Sequence, residues 1–302
     1  RVKLALTGEL RQRQPRTIAE AVQAYELYLR DVKQNKPTSV RTTIIRLRTF
    51  FPDDELTLAE ITPRRAASMH LILTRAQSVD SQRNILAEAR TFLKWCVQTK
   101  KWLATNPLAD IQGVGKRKHG KPQLRIDEAR RWLAVASQLA EDGDAGAIAA
   151  MTTLLLGLRS SEVIQREVRD LDDGGRQLWI PDSKTLAGRR RLEVPEVLQP
   201  HLRGLSEAKL PNTLLFGQHW RDWPRKQVQR ICELAKVPTV CAHSMRGLHS
   251  TLAIEAGTTA HAVASSLGHE SPAVTFRSYV APGTAQRANA RRILTVLKGG
   301  QR

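Results

Sequence analysis

Apolar residues recur at three- and four-residue steps from Thr17 almost to Ile111, and the pattern then stops in the stretch QGVGKRKHGKPQ. That stretch holds glycines at 113, 115 and 120, four basic residues and Pro122, and no acidic residue. Glycine and proline at this density resist regular structure and mark an exposed connection. A chain interrupted in this way is expected to fold as two bodies. The expected division is an N-terminal extension over 1–15, a helical unit over 16–110, a basic linker over 111–122 and a larger unit over 123–302.

The helical unit reads as four helices. TIAEAVQAYELYLRDV places Ile18, Val22, Tyr25, Leu29 and Val32 on one stripe, and Thr17 with Glu20 three residues later forms a capping-box pattern. KPTSVRTTIIRLRTFF turns Val40, Ile44, Leu47 and Phe51 inward. TPRRAASMHLILT is the third helix. The fourth, within SVDSQRNILAEARTFLKWCVQTKKW, packs Ile85, Ala89, Phe92, Leu93 and Cys96. Pro107, in NPLADI, is expected to end the regular structure.

The larger unit is mixed. RIDEARRWLAVASQLA and AGAIAAMTTLLLGLRSSEVIQ read as helices, the second without a break. GRQLWIPDSKTLAGRRRLEVP alternates, breaks around Asp182 to Gly188 and alternates again, which predicts a β-hairpin with strands 176–181 and 190–195. Helices are expected over 196–205, 222–235, 243–256, 259–267 and 285–297. The fold class is therefore mainly α with a small β-sheet.

Charge narrows the partner. The formal net charge is +19, and both units and their junction are basic. Such a chain suits a polyanion, nucleic acid first. No apolar run in this sequence is long enough to span a bilayer, and neither a signal peptide nor a membrane partner is expected. Cys96, Cys232 and Cys241 have no metal-ligand spacing, and their odd number suits a reducing compartment. The sequence begins at Arg1 rather than Met, which leaves room for a further module upstream.

Four islands of polar residues stand out. GLRSSEV places Arg159 and Glu162 one helical turn apart. Lys184 lies at the hairpin tip. HSMR sets His243 and Arg246 three residues apart on one helical face. LGHESPAVTFRSY contains His269 and Tyr279, and Tyr279 is one of only three tyrosines. Tyr25 belongs to the first apolar stripe and Tyr28 borders it. Taken singly, each island has a plain account: a helix ion pair, a solvated turn lysine, a chance His-x-x-Arg, a core tyrosine.

Taken together and in this order, the islands resemble the tyrosine recombinase family, the Cre-like or phage-integrase-type site-specific recombinases. The resemblance rests on G-L-R-x-x-E, Lys184, His243-x-x-Arg246, the L-G-H ending at His269, the twelve-residue step from Gly257 to His269, and Tyr279. One step differs: relatives place the tyrosine nine residues after this histidine, and here it is ten, with the extra residue expected in the loop at Pro272.

The resemblance implies a two-domain C-shaped DNA clamp, built from a SAM-like helical core-binding domain and a mixed α/β catalytic domain. It implies attack of the Tyr279 oxygen on a phosphodiester, giving a 3′-phosphotyrosine and a free 5′-hydroxyl. A phenol has a pKa near 10, so ionising it at pH 7 costs about 4 kcal/mol. His243 is the implied general base. Arg159 and Arg246 would clamp the equatorial oxygens of the phosphate, and Lys184 would protonate the departing oxygen. His269 would hydrogen-bond the phosphate, and Glu162 would orient Arg159 or His243 from behind. No metal, ATP or other cofactor is expected. Lys36, Arg41, Arg83, Lys116, Arg117 and Lys118 are the candidate DNA-backbone contacts, salt-sensitive but blind to sequence.

The partners implied are double-stranded DNA with a specific core site and further copies of this chain. Four protomers would assemble on two duplexes, with helix 285–297 docking in trans after the Pro282–Gly283 turn. The place of action would be the cytoplasm, at the nucleoid. The reaction would be integration or excision of a mobile element, or dimer resolution. Two rival readings remain at this point, a type IB topoisomerase-like relaxing enzyme and a catalytically inactive DNA-binding regulator.

Overall fold

Five helix starts among the described residues are held by N-cap side chains that accept backbone N–H groups. Thr17 accepts from the N–H of Glu20, and the Glu20 carboxylate accepts from the N–H of Thr17. Thr62, Ser78, Asp144 and Thr259 cap later helices in the same sense. The computed structural model describes residues 16–117, 120–181 and 188–278, together with Val280 and Thr284. The expected extension over 1–15, Lys118, Lys184, Tyr279, the Pro282–Gly283 turn and helix 285–297 lie outside the described residues. The chain divides into two compact units between residues 118 and 119.

In the first unit α1 spans Ile18–Leu27 and runs on into a π-helical turn, Tyr28–Val32. α2 spans Pro37–Phe50, α3 Pro63–Ala76 and α4 Val79–Gln98. The π-turn widens the helix and carries Val32 off the inward stripe, so Val32 is 68% exposed where the spacing had placed it inside. Phe50 and Phe51 are both buried, because the chain leaves α2 between them. The core is aromatic: Tyr25 lies 5.3 Å from Phe92 and 5.0 Å from Trp95, and Trp102 meets Trp95 edge-on at 5.5 Å.

After α4 the chain is tied back by Arg90 and Asn106. Asn106 donates to the Arg90 carbonyl and accepts from the N–H of Leu108, and Arg90 Nε donates to the Leu108 carbonyl. Regular structure therefore ends at Gln98, ahead of Pro107. The glycine-rich segment then lies along α4. Gln82 donates to the Val114 carbonyl, Arg83 to the Gly115 carbonyl, and Arg117 to Asn84 at 2.8 Å. Gly115 has φ +77°, and a Cβ there would stand 2.8 Å from Val79.

In the second unit α5 (Ile126–Glu141), α6 (Ala145–Leu155) and α9 (Trp223–Leu234) enclose the main core around Trp132, whose indole N–H donates to the Val228 carbonyl. The unbroken helix expected over 145–165 is two helices, α6 and the short α7 (Ser160–Ile164). Gly157 breaks it with φ +64°, and a Cβ there would meet Leu267 at 2.6 Å and His249 at 2.9 Å.

β1 (Leu171–Asp172), β2 (Gln177–Ile180) and β3 (Arg190–Glu193) form an antiparallel sheet in the order β1-β2-β3. Leu178 opposes Leu192 and Ile180 opposes Arg190. Leu178, Ile180, Arg190 and Leu192 face inward, while Trp179 and Arg191 face out with the guanidinium 5.4 Å from the ring centre. α8 (Gln199–Ser206) follows, then α10 (Ala242–Glu255), α11 (Ala260–Leu267) and α12 (Pro272–Ser278). Pro272 opens α12, so the extra residue before Tyr279 does not sit in a long loop; α12 occupies a stretch for which no helix was expected.

Candidate active site

The carboxyl end of α11 organises the site. Gly268 adopts the left-handed conformation, φ 66° and ψ 46°, and the His269 N–H reaches back to the Ala264 carbonyl at 2.9 Å. This glycine-closed helix end leaves carbonyls without helical partners. Three successive ones are taken by guanidiniums from three other segments. Arg190 Nε donates to the Ser266 carbonyl at 2.6 Å, Arg246 Nη2 to Leu267 at 2.6 Å, and Arg159 Nη2 to Gly268 at 3.4 Å. Cations at a helix C-terminus also meet its negative dipole end.

Glu162 hydrogen-bonds two of these arginines, Arg159 and Arg190, from the other side. Arg159 is the N-cap residue of α7, so its backbone N–H donates to Glu162 Oε2 at 2.9 Å while its Nη1 donates to Oε1 at 2.7 Å. Arg190 approaches two-pronged, at 3.2 and 3.1 Å. Burial works to raise the Glu162 carboxyl, but the hydrogen bond and charge of Arg190, and then Arg159, outweigh it and hold the group at about 2. Three guanidiniums against one carboxylate leave the cluster net positive, which suits an anionic ligand.

Exposure separates the arginines. The Arg159 side chain is 32% exposed, whereas Arg246 is fully buried and also donates to the Gly157 carbonyl. Arg246 Nη2 lies 2.9 Å from His269 Nε2. A guanidinium only donates, so Nε2 accepts and the proton sits on Nδ1, which donates to Thr275 at 2.8 Å. Burial and the charges of Arg246, Arg159 and Arg190 depress His269 to about 3, so it is neutral near pH 7. Its ring thus meets Arg246 with its acceptor nitrogen.

His243 lies in the first turn of α10, exposed, and three residues before Arg246. The protein packed against its ring, and then Arg246, Lys121 and Arg159, hold its pKa below the usual histidine value. A neutral, accessible imidazole among cations has the attributes of a proton acceptor.

Of the sequence candidates, Arg159, Glu162, Arg246 and His269 converge in direct contact, and His243 shares their electrostatic field. Lys184 and Tyr279 belong to the residues outside the description. The other two tyrosines sit in the first unit's aromatic core, where burial and the Glu88 charge push Tyr25 up to about 12. Lys36 and Arg41 are exposed at the start of α2. Lys116 is exposed, while Arg83 and Arg117 hold the linker to α4. Arg190 and Thr275 were not singled out from sequence. Strand alternation carried a signal for the first, because it shares the inward face with Leu192.

Residues 122–285 match the Phage integrase family. Over 205 residues, 62% of this chain and 67% of the relative, the chain is 28% identical to tyrosine recombinase XerC of Mycobacterium tuberculosis and equally to that of Mycobacterium bovis. A lambda integrase dimer bound to a COC′ core site matches with a TM-score of 0.71 at 15% identity, over 95% of this chain and 81% of that one. The Tn1549 transposon integrase in complex with a circular intermediate DNA matches with 0.74 at 16%, over 92% and 99%. At these identities the structural likeness is one of fold.

Proposed function

The chain belongs to the phage integrase family, the tyrosine recombinases, and from that premise we propose that it breaks and rejoins DNA at a specific core site through a phosphotyrosine made by Tyr279. The observation that carries this reading is the convergence of Arg159, Arg246 and His269 on one helix end, behind a carboxylate that fixes Arg159. That arrangement supplies directed positive charge where a phosphodiester gathers negative charge in its transition state.

The steps balance. The Tyr279 oxygen forms a bond to phosphorus while His243 takes the phenolic proton. The bond to the 5′-oxygen breaks, and Lys184 gives that oxygen a proton. Arg159, the more accessible guanidinium, meets the phosphate oxygens. Arg246 adds charge from behind and, through His269, is held against Thr275. A 5′-hydroxyl from a second strand then attacks the phosphotyrosine and gives its proton back to Lys184, while the tyrosine oxygen leaves with the proton held by His243. One phosphate ester is exchanged for another at each step, so the reaction draws on no ATP. Its positive charge comes from arginine rather than from a metal ion.

Lys36, Arg41 and the basic linker would meet the DNA backbone, and the assembled form would be a tetramer of this chain on two duplexes, with helix 285–297 docking in trans. Family membership does not favour the topoisomerase-like and inactive-regulator readings. The deciding experiment is covalent capture on a nicked duplex drawn from a randomised pool. Wild-type protein is expected to become linked to DNA, and Tyr279→Phe to abolish the link. An undiminished adduct in that variant would assign the nucleophile elsewhere. Equal relaxation of plasmids with and without the selected site would favour the topoisomerase.

A further inference from the structure

Arg190 stands outside the residues given chemical roles above, yet its side chain touches three separate parts of the site. It is the first residue of β3 and faces inward, opposite Ile180. It donates to the Ser266 carbonyl at the end of α11, to the Gly188 carbonyl at 2.8 Å, and to both oxygens of Glu162. An ionised carboxylate offers about four acceptor positions. In Glu162 they are filled by the Arg159 backbone N–H, Arg159 Nη1, and the two prongs of Arg190. Arg246 Nη1 waits 3.9 Å from Glu162 Oε2, just beyond hydrogen-bond reach.

From this geometry we infer that Arg190 is a positioning residue: by saturating Glu162 it keeps that carboxylate from drawing Arg246 away from His269, and so holds both guanidiniums in register. Without Arg190, half of the acceptor capacity of a carboxylate only 3% exposed is left unfilled. A buried carboxylate does not remain so without cost. The nearest cation able to move in is Arg246, and the move would strain its bonds to the Leu267 carbonyl and to His269 Nε2. The inference rests on the recombinase reading for its effect on rate, but its structural half stands without it.

Two measurements separate those halves. In the first, carbon-detected NMR follows Glu162 titration in DNA-free protein. Arg190→Gln should move the midpoint upward, and an unmoved midpoint would overturn the inference. In the second, adduct formation is timed at saturating concentrations of a nicked duplex selected on wild-type protein. Arg190→Gln should slow it about 10- to 100-fold, as misplacement of reacting groups by about an ångström does, with the dissociation constant within about twofold of wild type. Arg190→Lys, which keeps the charge but loses the fork, should recover part of the rate.

A parallel loss of affinity and rate would indicate a merely structural role and overturn the inference. In a Glu162→Gln background the Arg190→Gln change should cost less than about twofold more, because its target is gone; a full second loss would overturn it. That double variant removes both charges together and is the measurement to use if Arg190→Gln alone does not fold. If wild-type protein captures no DNA, the recombinase reading fails while the titration still decides the role of Arg190.

Discussion

The two units solve burial in opposite ways. The first closes over rings: Tyr25, Phe50, Phe51, Phe92 and Trp95 are all buried, and among the described residues its buried polar side chains are His70 and Gln82, bonded to each other at 3.2 Å. The second buries Glu162, Arg166, Asp170, Arg190, Arg246 and His269. Arg166 is held within the fold by Asp170 at 2.9 Å and by the carbonyls of Glu162 and Trp179. Arg159, seven residues earlier, keeps part of its guanidinium in water. Charge taken out of water costs free energy unless it is paired. Where the pairing stays incomplete toward solvent, that energy is available to a ligand of opposite sign.

If this contrast is right, the two units fail differently. Phe92→Ala should destabilise the first unit by about 3–5 kcal/mol, read as a lower denaturation midpoint, while the adduct rate per bound complex changes by less than about twofold. A large fall in that rate would erase the distinction. Arg159→Ala should do the reverse, slowing adduct formation about 100- to 1000-fold with a smaller fall in denaturation midpoint than Phe92→Ala, because Glu162 keeps both prongs of Arg190.

Acid should distinguish the units next. Glu162 titrates near 2 in the folded chain against an ordinary 4.5, so its contribution is present above pH 4.5 and is lost as the pH falls toward 2. His269, near 3 against 6.5, favours the folded state while neutral, so its contribution is present above pH 6.5 and is lost between 6.5 and 3. Thermal melts across that range should show the second unit weakening first, and Glu162→Gln should flatten the fall below pH 4.5. In the same way, the acid limb of adduct formation should lie below pH 6.5, where His243 gains its proton; a limb above that value would remove His243 as the base.

The smallest expected effects are on the surface. Lys36→Ala or Arg41→Ala should each reduce the salt dependence of DNA binding by about one in slope. Arg117→Ala, whose charge is shared with Asn84 and Asp80, should change it less.

Much of the first unit was legible because an apolar stripe needs only spacing. Residues 18, 22, 25 and 29 face the core as their period demands, and the Thr17–Glu20 cap is in place. The polar site was legible as islands, since Arg159 with Glu162 and His243 with Arg246 are local patterns. What joins them was not. Gly157 sits in a run of leucines, and nothing in its neighbours announces a positive φ; the tight approach of Leu267 and His249 comes from residues about a hundred positions away. Arg190 was hidden in a run of three arginines, although Leu192 marked which of them points inward. β1 is two residues long and carries no periodicity. α12 carries no helix signal in the sequence, because its proline, at the first turn where proline is tolerated, reads as an interruption.

Three arginines grip main-chain oxygens at positions 266 to 268 rather than side chains. Such a grip reads no side chain at 265 or 266, provided that Gly268 lets the chain turn back, whereas Leu267 is fixed by its burial against Gly157. Exposed Ser265 can therefore be exchanged while the three guanidiniums keep their carbonyls. An engineer retargeting the protein has the same freedom there, and none at the glycine.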